Sequence, residues 1–232
     1  MFNDHATAKL THVGRRAIAV TRIHDVLLNP AGVAELGYAQ SYTRDHTNLY
    51  PGLRAPVPES FSTALRAWLT PLLQHSGMLA AGQTIQRDSS FFSVVTTASG
   101  ELLPIQCIPH YDSTDPNLLA AVIYLCDARF CGTSFYRHRR TGYEEITEET
   151  QTNYRLALDH DMRTHGAPPR QYMNGDSLLF ETTFSNPLKF NSAIVYPGRI
   201  LHAGNIRSPF VPPRDPSEWR LTITTLLQVG SQ

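Results

Sequence analysis

Two periodicities divide the chain. In PESFSTALRAWLTPLLQHSG (58–77), Phe61, Leu65, Trp68, Leu69, Leu72 and Leu73 recur at three- and four-residue intervals, the spacing of one helix face. Pro71 removes an amide donor inside that run, so a kink or an end is expected there. A shorter helix is predicted over NPAGVAELG (29–37), with Asn29 as its cap, Pro30 in the first turn and Gly37 as its stop. Between the two, residues 43–58 are rich in Pro, Gly and polar groups and read as loop.

The second texture is β. RRAIAVTRI (15–23) reads as a first strand. From Gln83 onward short β-rich runs dominate: SFFSVVTTAS (90–99), LLPIQCI (102–108), LLAAVIYLC (118–126) and TSFYRHR (133–139). Turn signals at Ser99-Gly100, Asp115-Pro116 and Gly132 separate them. One helix interrupts at about 147–165, capped by Thr147, with Glu148 and Glu149 in its first turn and Gly166 and Pro168 at its end. Strands resume with DSLLFETTFSN (176–186), NSAIVYP (191–197) and RLTITTLLQV (220–229). The expected class is mainly β (α+β), a double-sheet jelly roll with N-terminal buttressing helices and one helical insertion. Residues 1–232 are expected to form a single domain, with 1–82 as a support region and 83–229 as the jelly-roll core. Residues 203–218 carry four prolines and read as a long ordered loop or lid.

Composition narrows the function classes. At 41% hydrophobic and 17% charged the chain is that of an ordinary soluble globular protein. Its formal net charge is zero, which implies no general attraction to nucleic acid or an anionic membrane. RHRR at 137–140 is a local basic exception. Cys107, Cys126 and Cys131 suggest neither a disulfide framework nor a zinc site, so a reducing cytoplasm fits. The N-terminus lacks the apolar stretch of a signal peptide, and no run approaches the length of a membrane span.

Against that plain background PHYDS (109–113) stands out. In extended backbone residues i and i+2 point the same way, so His110 and Asp112 converge. Two such groups plus a second histidine make the 2-His-1-carboxylate facial triad, which leaves coordination positions of Fe(II) open for oxygen chemistry. His202, in YPGRILHAGN, ends a β-rich run ninety residues past Asp112 and is the candidate third ligand. In a jelly roll strands so far apart in sequence face each other. Arg220 opens the last strand and can grip a carboxylate in bidentate fashion. Thr222, two residues on, shares its face and offers a hydroxyl.

His110-x-Asp112, then His202, then Arg220 on a final strand resemble the 2-oxoglutarate/Fe(II)-dependent dioxygenase superfamily. YLCDARFCGTSFYRHRRTGYE and YPGRILHAGN are similar, more narrowly, to a bacterial group of uncharacterised proteins within it. The resemblance covers roughly residues 83–229. It implies a double-stranded β-helix, Fe(II) held by His110, Asp112 and His202, and 2-oxoglutarate as cosubstrate with its far carboxylate on Arg220. It also implies dioxygen as co-reactant and hydroxylation of an unactivated C–H bond, with succinate and carbon dioxide as coproducts. One departure is the eighteen-residue interval from His202 to Arg220, longer than the family's usual spacing. It leaves open whether Arg137 or Arg139 binds the carboxylate instead.

Several residues stay ambiguous. Arg137 and Arg139 either recognise an anionic group at a substrate entrance or belong to a solvated β-edge. Asn191 either reaches a substrate or starts a strand. Tyr124, Tyr136 and Tyr196 read as core or pocket wall, and the remaining histidines, His46 among them, as surface. Three functions compete: a 2-oxoglutarate/Fe(II) oxygenase, a cupin-type metal enzyme without 2-oxoglutarate, and a catalytically silent jelly-roll binding protein. The substrate expected is a small molecule or a peptidyl side chain.

Overall fold

A computed structural model of the chain describes residues 1–44, 49–127 and 129–231. His46 and part of the expected 43–58 loop lie outside the described residues. The helix α1 (Pro30–Tyr38) starts where expected, with the Asn29 side chain accepting the Gly32 amide at 3.0 Å. Its partner α2 (Glu59–Ser76) does not stop at Pro71. Phe61, Leu65, Leu69 and Leu73 along it are all at most 3% exposed. Burying four such side chains is worth roughly 6–12 kcal/mol, against about 3 kcal/mol for an interior proline, so packing overrides the breaker.

Ten strands are present among the described residues, all paired antiparallel. The large sheet comprises β1 (Thr7–Val13), β2 (Ile18–His24), β3 (Gly52–Pro56), β4 (Gln83–Val95), β5 (Leu118–Tyr124), β8 (Ser192–Pro197) and β10 (Leu221–Ser231). Their spatial order is β1-β2-β8-β5-β10-β4-β3. The small sheet has the order β7-β6-β9, from β6 (Thr133–His138), β7 (Phe180–Asn186) and β9 (His202–Gly204). One face of the large sheet carries Phe92, Val94, Ile123, Val195, Leu221 and Ile223 against α1 and α2. The other carries Val20, Val122, Tyr124, Ile194 and Tyr196, which share a core with Phe135 of the small sheet. The two sheets therefore face each other.

The helix α3 (Glu148–His165) lies between β6 and β7 in sequence. Its start is fixed by the Thr150 hydroxyl, which accepts the Thr147 amide at 2.9 Å. It packs Tyr154 beside Tyr136 and Phe180, behind the small sheet.

Two expectations need correction. LLPIQCI forms no strand; Pro104–Cys107 is a 3₁₀ turn. Pro104 has no amide to offer a ladder, and the Gln106 side chain accepts the Leu103 amide at 2.8 Å, closing the turn locally. Of DSLLFETTFSN only the portion from Phe180 is strand, because Ser177 turns back to accept the Phe180 amide at 3.1 Å. Three strands went unforeseen: β1 and β3, the two edges of the large sheet, and β9, an edge of the small one, whose Ala203 and Gly204 fall in the stretch expected to be loop.

Candidate metal centre

His110 and His202 are brought together by backbone. They form an isolated antiparallel bridge, with amide-to-carbonyl hydrogen bonds of 2.9 and 2.8 Å in the two directions. PHYDS thus extends the small sheet past β9. Asp112 is anchored separately, its amide donating to the Gly198 carbonyl at 2.7 Å beyond the end of β8. The result is a compact cluster. Asp112 Oδ1 lies 3.9 Å from His110 Nε2, and Asp112 Oδ2 lies 3.6 Å from His202 Nε2. One potential ligand atom from each of the three falls within 4.8 Å of the others.

The imidazoles are prepared for a cation. His202 Nδ1 sits 2.9 Å from the Ile200 carbonyl. A carbonyl only accepts, so that nitrogen carries the hydrogen, and the lone pair of the neutral ring is left on Nε2, toward Asp112. The His110 pKa is lowered to about 4 by desolvation and then by the His202 ring, against the pull of Asp112. Its side chain nevertheless keeps 55% of its accessible surface. The Tyr196 ring lies 4.7 Å from that of His202, and its hydroxyl is held neutral by burial and by the charge of Asp112.

Arg220 lies immediately before β10 and is 5% exposed. Its Nη2 donates to the carbonyls of Cys131 and Gly132, both at 3.3 Å, while Nε is buried without a partner. Among the described residues no carboxylate pairs with it. The titratable side chains nearby include Tyr50, Tyr124, Tyr172, Tyr196 and Cys126, all kept neutral by burial, with the Cys126 thiol pushed up to about 11. Across from Arg220 is Gly204, whose missing side chain leaves the guanidinium room; a Cβ there would lie 3.8 Å from Nη2. Gly204 and His202 share one face of β9, about 7 Å apart along the strand. A buried cation with no acid among the described residues, at that remove from three side chains that could hold a metal ion, could receive the far end of a short dicarboxylate chelating that ion. Thr222 is fully buried on the same face, its hydroxyl 3.4 Å from the Ser93 carbonyl.

The other singled-out residues are engaged elsewhere. Arg137 is clamped between Glu144, at 3.2 Å, and Glu181. Arg139 pairs with Asp176 at 2.9 Å and donates to the Ser177 carbonyl at 3.1 Å. Asn191 adopts a positive φ of 58° and spends both ends of its amide on the backbone of Leu27, at 2.8 and 3.0 Å. Two wall residues escaped the sequence reading, Tyr50 and Arg54. Both lie in or beside the stretch taken for loop, and only the β3 ladder shows which way Arg54 faces.

A family model described as "Family of unknown function (DUF6445)" matches residues 4–227. No curated protein matches the chain. Among solved structures, the epimerase SnoN in complex with Fe3+, alpha ketoglutarate and nogalamycin RO aligns with a TM-score of 0.51 at 12% identity, covering 94% of this chain and 82% of its own. The non-heme alpha ketoglutarate dependent carbocyclase SnoK from nogalamycin biosynthesis aligns with a TM-score of 0.50 at 13% identity, covering 94% of this chain and 83% of its own. Likeness at these identities shows a shared fold.

Proposed function

The chain belongs to the DUF6445 family, and we propose that it is a non-haem Fe(II) oxygenase coupling oxidative decarboxylation of 2-oxoglutarate to hydroxylation of an organic substrate. The observation that carries this reading is the pairing of two features about one side chain, Tyr196, which feels both Asp112 and Arg220. His110, Asp112 and His202 converge on one side of it, and Arg220 is buried with no acid paired to it among the described residues. The fold shared with SnoN and SnoK supports it. In this reading the facing sheets are a double-stranded β-helix, with residues 1–82 buttressing a core of 83–229 in one domain.

His110, Asp112 and His202 would hold the metal. Two neutral imidazoles and one carboxylate suit a divalent ion, and three ligands on one side leave the opposite side open. When bound, Fe(II) would activate dioxygen, the oxidant, with 2-oxoglutarate supplying two of its four electrons and leaving as succinate and carbon dioxide, and the substrate C–H bond supplying the other two as it becomes a hydroxyl group. The chain's residues bind and orient. The Ile200 carbonyl fixes the His202 ring so that its lone pair faces the ion. Arg220 pairs with the far carboxylate of 2-oxoglutarate, and the Thr222 hydroxyl lies beside it to add a hydrogen bond. Tyr124 and Tyr196 line the space as neutral, apolar-bodied walls that exclude water from the reacting groups.

The test is an anaerobic titration of the apo-protein with Fe(II), then 2-oxoglutarate, followed by visible absorption. Chelation of Fe(II) by the keto acid gives a weak charge-transfer band that saturates at one equivalent and is lost in His110→Ala. Metal uptake without a band would instead support a cupin-type enzyme. No metal uptake would leave a binding protein.

A further inference from the structure

Arg54 sits on β3, at the edge of the large sheet. Cross-strand register links Arg54 to Ser93, Ser93 to Thr222 and Thr222 to Tyr124. The four side chains therefore form one row on the face that looks into the sandwich, opposite the face packed on α2. The guanidinium lies over the Tyr50 ring at 4.5 Å and near the Phe91 ring at 5.7 Å. Tyr50 in turn reaches the Thr222 hydroxyl. The Nε of Arg54 is buried and makes no hydrogen bond, and no carboxylate among the described residues pairs with the side chain. A flat cation lying over one ring and near a second, with its buried Nε unspent and no described acid beside it, is set to receive a planar anion in bidentate fashion.

A charge count says which anion it awaits. With Fe(II), Asp112, 2-oxoglutarate and Arg220 together, the two charges of the ion and the one of Arg220 are cancelled by the carboxylate and the dianion. Arg54 is left over with one positive charge. We propose that Arg54 anchors a carboxylate on the organic substrate, so that the site takes monoanionic organic acids and presents a C–H bond of the acid to the open side of the triad. This rests on the oxygenase reading above.

The experiment follows the charge-transfer band of the anaerobic Fe(II)–2-oxoglutarate protein. Benzoate, hexanoate and N-acetylphenylalanine are added, each beside its primary amide, to wild type, Arg54→Gln and Arg54→Lys. Arg54→Gln should keep wild-type affinity for 2-oxoglutarate. At least one acid should perturb the wild-type band at concentrations its amide does not reach. That acid's apparent affinity should fall at least about tenfold in Arg54→Gln and less in Arg54→Lys, which keeps the charge but loses the fork. The proposal is overturned if no acid is preferred over its amide, or if the preference survives in Arg54→Gln. It is also overturned if a folded Arg54→Gln loses 2-oxoglutarate itself and Arg54→Lys regains it, since Arg54 would then serve the cosubstrate. Thermal melting separates unfolding from that outcome. Absence of any band in wild type would instead defeat the oxygenase reading, and this proposal with it.

Discussion

Replacing Arg220 by methionine should stabilise the protein while abolishing its response to 2-oxoglutarate. The side chain is 5% exposed and no acid pairs with it among the described residues. Burying an unpaired charge costs several kcal/mol even after the surroundings relax. Two hydrogen bonds to carbonyls offset part of that cost, at about 1.5–3 kcal/mol for bonds from a charged donor. Of the two acceptors, Gly132 keeps another partner when Arg220 is gone, the Asn205 amide at 2.9 Å. Only the Cys131 carbonyl is left without another donor among the described residues. Methionine fills a similar, flexible volume. The net gain expected is about 1–2 kcal/mol, or roughly 3–6 °C in melting temperature for a chain of this size. Wild type should recover the same ground with ligand: 2-oxoglutarate at one hundred times its dissociation constant, with metal present, adds about 2.7 kcal/mol. Differential scanning calorimetry of both proteins, with and without Fe(II) and 2-oxoglutarate under nitrogen, gives all four numbers. A variant that melts below wild type and still shifts upward with 2-oxoglutarate would refute the reasoning, because Arg220 would then be a structural cation.

Three further outcomes follow from the geometry. Glu144→Ala strips Arg137 of a buried partner and leaves the amides of Arg15 and Arg16 without their acceptor; urea unfolding should show a loss of about 3 kcal/mol or more, while the Fe(II)–2-oxoglutarate band is unchanged if Arg137 is structural. Gly52→Ala places a Cβ 1.9 Å from the Val94 carbonyl, across the β3–β4 ladder; hydrogen exchange should show β3 detached, and unchanged protection would contradict the register. His138 is fully buried between Asp161 and Thr141, and desolvation lowers its pKa below 6.5 despite the pull of Asp161. The unfolded chain therefore binds a proton at a pH where the folded one does not, so stability should fall as pH drops below about 6.5. His138→Gln should show a shallower fall in urea midpoint between pH 7 and 5, and an equal slope would assign the acid sensitivity elsewhere.

What the sequence disclosed follows from how each element earns its stability. α1 and α3 declare themselves through local signals: Asn29, Pro30 and the Glu148-Glu149 turn act within a few residues of where they stand. Central strands such as β5 and β8 are buried on both faces, so LLAAVIY and SAIVYP are apolar nearly throughout. Edge strands carry neither mark. TAKLTHV is half-exposed and mixed, and GLRAP looks like a turn because glycine and proline flank it. Each needs its neighbour to be a strand, and proline at position 56 is tolerable because an edge has one unpaired side. The same gap hid Arg54, whose direction is a property of the β3–β4 register. The spacing of His110 and Asp112 only raised the pair as a candidate; His202, Arg220 and the resemblance made it a cluster worth looking for. His202 required the expectation that distant strands would meet.

The bridge between His110 and His202 sets the separation of their rings through two main-chain hydrogen bonds. Any residue pair at those positions would stand at the same distance, since peptide groups, not side chains, hold the span. Geometry and chemistry are thus encoded separately here, one in the sheet and one in the letters placed on it. A change of residue at either position alters the donor atom offered without redrawing the frame, which makes this corner of the fold a natural place to exchange one side-chain donor at a time.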